Sequence, residues 1–127
     1  MGHEVDAKAP QREVNALFDE ALDCMARGDA AAAVGHFEAI LSIDAGHAEA
    51  NHGLIRALED AGRTDDALAA THRLIATNPD DVLALTRLSM IYQHKGMVPE
   101  AEAAATKAKV LGWKHELRSG ITAKTDL

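Results

Sequence analysis

Apolar residues recur at three- and four-residue steps along most of this chain. Between residues 82 and 95, Leu85, Leu88, Ile91 and Tyr92 fall on one side of a helix. Gly96 then interrupts the pattern, and an alanine-rich periodic stretch follows. The same succession occurs twice upstream. Gly28, Gly62 and Gly96 are each 34 residues apart, and Ala33, Ala67 and Ala101 follow them by five residues. Asp44-Ala45, Asn78-Pro79 and Gly112-Trp113 keep the same period. Three markers sharing one spacing define a tandem repeat, with units 14–47, 48–81 and 82–115. Each unit reads as two antiparallel helices. The pattern predicts helices over 11–27, 30–43, 48–61, 64–77, 81–95 and 98–111.

Local chemistry agrees with those bounds. Each glycine ends a first helix because it enters the left-handed region without a Cβ clash. Asp29 and Thr64 are placed to cap the second helices of units one and two, their oxygens accepting from unpaired N–H groups. In unit three Pro99 presets the backbone of the first turn instead. The recurrent alanine is expected where the two helices cross, since a methyl group lets the backbones come close. Outside the units lie residues 1–13, a tail frayed through Ala9-Pro10 that leads into the first helix, and 116–127, a short tail with at most a turn or brief helix.

This period and pattern resemble the tetratricopeptide repeat over residues 14 to about 115. Leu17 and Leu85 stand at the family's large fourth place, Leu54 and Leu88 at the seventh, and Ala21 and Ser89 at the small eighth. Tyr92 keeps the eleventh-place tyrosine, where Cys24 and Leu58 substitute, Phe37 keeps the aromatic of the second helix, and Pro79 the closing proline. The resemblance implies an all-α fold, a right-handed α-solenoid or superhelix of three helix-turn-helix units. It also implies a non-enzymatic scaffold for protein–protein interaction. A peptide or helix would lie in a concave groove lined by the first helices. The family's contact places map onto Asn15, Phe18, Asp19, Leu22 and Met25 in unit one, and onto Glu49, His52, Arg56, Glu59 and Asp60 in unit two. In unit three they are Leu83, Thr86, Arg87, Met90, Gln93 and His94. The family's two-carboxylate clamp for chaperone tails is not expected. Four of its five places hold Phe18, Leu22, Gly53 and Leu83, and Arg87 alone matches.

Composition narrows the class further. Of the apolar residues, which are 47% of the chain, 26 are alanine, and aromatics are only 3%. Such a core suits closely packed helices rather than a sheet. A net charge of −7 disfavours binding to nucleic acid or to an anionic membrane. The lone Cys24 excludes an internal disulfide, and the N-terminus lacks the basic and apolar stretches of a secretory signal, so a cytoplasmic protein is expected. His47 and His52 are five apart and lack further ligands at suitable spacing, and no Gly-rich phosphate loop or nucleophile–base arrangement is present. No metal, cofactor or catalysis is therefore expected.

Charge is unevenly spread. Unit one carries −5, unit two −4 and unit three +3. Arg56 and Arg87, with His52 and His94, are expected to take an acidic group of the ligand, and Phe18, Leu22 and Met25 its hydrophobic anchor. The alternative is a structural element that self-assembles through its oppositely charged ends, as a weak homo-oligomer.

Overall fold

The computed structural model describes residues 7–120. The expected fraying of residues 1–6 and the far end of the C-terminal tail lie outside the described residues. Six helices follow one another: α1 (Ala9–Ala26), α2 (Ala30–Ile43), α3 (Ala48–Asp60), α4 (Thr64–Thr77), α5 (Val82–His94) and α6 (Val98–Arg118). The described residues contain no strand, and the fold is all-α. No helix among them is long and apolar enough to cross a membrane. The chain divides into two compact units, the first through Ala67 and the second from Leu68.

In the first unit α1 packs on α2 and α2 on α3. Its core is Val14, Ala21 and Cys24 from α1, Val34, Phe37 and Ile40 from α2, and Leu54, Ile55 and Leu58 from α3. Phe37 is the largest fully buried side chain. It reaches the backbone of α3 because Gly53 has no side chain there. A Cβ at that position would lie 2.5 Å from Cε1 and Cζ of the Phe37 ring. The start of α3 is capped by His47, whose Nδ1 accepts from the Ala50 N–H at 3.0 Å.

In the second unit α5 packs on α6, with Leu85, Leu88, Ala104 and Ala108 buried together and Leu68, Ile75, Tyr92 and Leu111 around them. Where the two helices cross, the buried Ser89 hydroxyl donates to the Ala101 carbonyl at 2.8 Å. Ala101 belongs to the recurrent alanines, and all three of these are buried. The expected role of a methyl that lets backbones approach is thereby seen directly at the α5–α6 crossing.

The turns repeat in atomic detail. After each first helix an N–H five residues on closes back to a carbonyl, Asp29 to Cys24 at 2.8 Å, Arg63 to Leu58 at 2.8 Å and Met97 to Tyr92 at 2.9 Å. Gly28, Gly62 and Gly96 supply the left-handed residue at φ of 79°, 79° and 75°. Gly62→Ala adds no contact, since open space surrounds its missing Cβ. Its cost is therefore the left-handed strain alone, about 1–2 kcal/mol. A denaturant melt should show that loss, and a midpoint equal to the parent's would contradict this account of the turn.

Three expectations need correcting. Ala9 and Pro10 are helical: α1 starts at Ala9, because proline suits the first turn of a helix. Thr64 is the first residue of α4 and not its cap; the preceding carbonyl, that of Arg63, accepts from the Ala67 N–H. The last helix does not stop near 111 but runs to Arg118. At Asp44 the chain leaves α2, and its carboxylate accepts from the Gly46 N–H at 3.2 Å, a local turn that competes with helix. Gly112 holds the equivalent place in the third repeat and has no side chain to make such a turn, so the helix continues.

Candidate functional site

The first helices place the residues that the repeat pattern singles out. On α1, Asn15 accepts from the Gln11 amide at 2.9 Å on the exposed side. Phe18 is half-buried, edge-on to Phe37 with centroids 6.0 Å apart and tilted over His47 at 5.8 Å. Phe18 thus ties α1 to α2 and to the start of α3, whereas Leu22 is exposed and Met25 half-buried. Cys24 is a buried, small member of the core, with the Arg27 guanidinium donating to its sulfur at 3.5 Å.

On α3, Glu49 is exposed, with a carboxylate oxygen 3.8 Å from Nδ1 of His47, and His52 is half-buried. Arg56 lies 3.9 Å from Asp60 four residues on, with both side chains exposed. On α5, Leu83 and Met90 expose 53% and 42% of their surface. They alternate with Arg87 and His94 at steps of four, three and four residues, which puts all four on one face.

Beside that face the second unit has a hollow of about 410 Å³. Val82, Thr86, Met90 and Gln93 of α5 form one wall, and Ala105, Ala108 and Lys109 of α6 the other. Three residues named from the repeat pattern, Thr86, Met90 and Gln93, therefore come together here. Leu83, Arg87 and His94 are not part of the lining. The hollow has a simple origin. Ala105 and Ala108 stand two repeat lengths beyond Phe37 and Ile40, which fill the corresponding space in the first repeat. Methyl groups replace a ring and a branched chain, and space remains.

Chemically the hollow offers methyl groups and the Met90 thioether below, with the Gln93 amide and the Lys109 ammonium as polar groups. The Ser89 hydroxyl at its edge is already committed to Ala101. Such a site suits an apolar side chain whose neighbours hydrogen-bond or carry negative charge. Among the described residues no three His, Cys, Asp or Glu side chains gather as a metal site would require. Repeat-pattern reasoning on the first helices alone misses Ala105, Ala108 and Lys109. The drop in side-chain size from Phe37 and Ile40 was the signal for them.

A tetratricopeptide-repeat family model matches residues 25–88, half of the chain. The chain belongs to this family. Solved structures agree on the fold. A crystal structure of MamA superposes with a TM-score of 0.74 at 20% identity, covering 80% of this chain and 60% of that one. A second MamA structure, MSR-1 C2, gives 0.73 at 17% identity over 85% and 63%. This tetratricopeptide-repeat chain thus spans less than two thirds of either MamA chain. The type III secretion translocator chaperone SycD of Yersinia enterocolitica gives 0.75 at 18% identity, covering 87% of this chain and 84% of SycD. No curated protein matches the sequence significantly.

Proposed function

We propose that this chain is a non-enzymatic binding module that takes a peptide or helix of a protein partner along α5. The observation that carries the reading is the α5–α6 hollow, an apolar recess beside the exposed Leu83 and Met90. Membership of a family of protein-interaction repeats supports it. The ligand places a large apolar side chain in the hollow, over Ala105 and Ala108. An acidic group next to that anchor meets Lys109 or the guanidinium of Arg87. On the first repeat, exposed Leu22 is the apolar contact that remains available, since Phe18 is engaged within the repeat.

Selection of displayed random peptides on the immobilised chain tests this. Enriched sequences should pair a large apolar residue with a nearby acid. Met90→Glu should weaken their binding on the order of tenfold or more while the fold is kept, because Met90 is exposed. Lys109→Glu should remove the preference for the acid. Absence of enrichment, or equal binding to the Met90→Glu variant, would overturn the reading.

A further inference from the structure

A different face of α6 carries a second apolar surface. Val110, Trp113 and Leu117 follow at steps of three and four residues and expose 40%, 60% and 65% of their surface. They form one stripe, and its last two residues lie on the stretch of α6 that continues past the expected helix end at residue 111. At its other end the stripe opens into a hollow of about 660 Å³. Ile75 of α4, Leu85 and Leu88 of α5 and Ala103 of α6 wall that hollow, and Val110 lines it too, so hollow and stripe are continuous. Apolar surface this large and continuous is unusual unless something covers it.

Charge indicates what covers it. Lys107, Lys114 and Arg118 run along one edge of the stripe, each one residue on or three back from a stripe residue. Lys107 also lines the hollow, as does Glu100 at its far end from the stripe, so the cations dominate only along Val110, Trp113 and Leu117. In a second copy docked α6 against α6, these three cations would face their own counterparts. The chain's acidic α1 offers one exposed large apolar residue, Leu22, beside Asp19 and Asp23, against a stripe of three. A net charge of −7 works against an anionic lipid surface. We infer that the stripe and hollow dock an amphipathic helix of an acidic protein partner. Its apolar residues lie over Val110, Trp113 and Leu117, and its carboxylates face Lys107, Lys114 and Arg118. This surface does not depend on the α5–α6 hollow of the proposed function.

Trp113 is the only tryptophan in the chain, so its emission reports on this surface alone. The probes are a synthetic helix of about five turns with a leucine stripe edged by glutamate, and its twin with lysine for glutamate. The glutamate helix should shift Trp113 emission to the blue and saturate. Leu117→Ser, at an exposed position that the fold tolerates, should weaken that binding on the order of tenfold, as should Lys114→Glu. Met90→Glu should leave it unchanged. The lysine helix should bind at least about tenfold more weakly, and added salt should weaken the glutamate helix. No shift with the glutamate helix, or equal shifts with the two helices, would overturn the inference. So would a blue shift in the chain alone that grows with its concentration, which assigns the stripe to a second copy. A shift produced by phosphatidylserine vesicles and not by the glutamate helix would assign it to lipid.

Discussion

Replacing Phe37 with alanine is expected to cost about 3–5 kcal/mol, the usual range for deleting a buried aromatic. Phe37 is the largest fully buried side chain, it contacts the edge of Phe18, and it fills the space that Gly53 leaves on α3. In a chain of this size the thermal midpoint should fall by roughly 10–20 °C. The reciprocal change, Gly53→Ala, gains roughly 1 kcal/mol of helix propensity. It nevertheless places a methyl 2.5 Å from a ring that has no free space, and a net loss of about 1–2 kcal/mol is expected. Combined with Phe37→Leu, the alanine should cost less than it does alone, because the shorter side chain vacates the contested volume. Additive losses would show that the two positions do not compete for space.

Ala101→Leu is expected to destabilise by about 1–3 kcal/mol, since three further carbons must enter a crossing that already has no room. Ala101 is buried, and the hydroxyl of Ser89 sits 2.8 Å from its carbonyl, which fixes how close α5 and α6 run. Pushing the helices apart breaks that hydrogen bond as well. Calorimetry on the variant checks this, and an unchanged midpoint would mean that the recurrent alanine is not a contact position.

Most of the architecture was legible because it rests on short-range chemistry. The 34-residue glycine spacing maps onto three turns with the same hydrogen bonds, at Gly28, Gly62 and Gly96. Five of the six helices end where the glycines or the Asp44 and Asn78 turns stop them. The end of α6 was not legible in this way, because Gly112 was read as the equivalent of a turn residue. A glycine without a turn-forming side chain beside it only weakens a helix, and here the helix runs on to Arg118. The pairing of Gly53 with Phe37 was equally hidden. Within one helix an interior glycine registers as poor propensity, and its reason lies on another helix. At the candidate site, Thr86, Met90 and Gln93 were found from the repeat places, but the space between them and α6 was not. That space comes from residues that are absent, the bulk that Ala105 and Ala108 lack relative to Phe37 and Ile40. Phe18 was legible only as an apolar residue at a groove place; that its half-buried ring also packs on Phe37 and His47 depends on two other helices and was not.

Amide shift mapping on the labelled chain shows whether α5 and the recess beside it receive the partner. A peptide enriched by display is titrated in, and perturbed backbone amides are recorded residue by residue. The largest changes are expected at Leu83, Thr86, Met90 and Gln93 on α5 and at Ala105 to Lys109 on α6, with residues 113–118 undisturbed. Changes centred on α1 and α2, or spread evenly over all six helices, would contradict binding there.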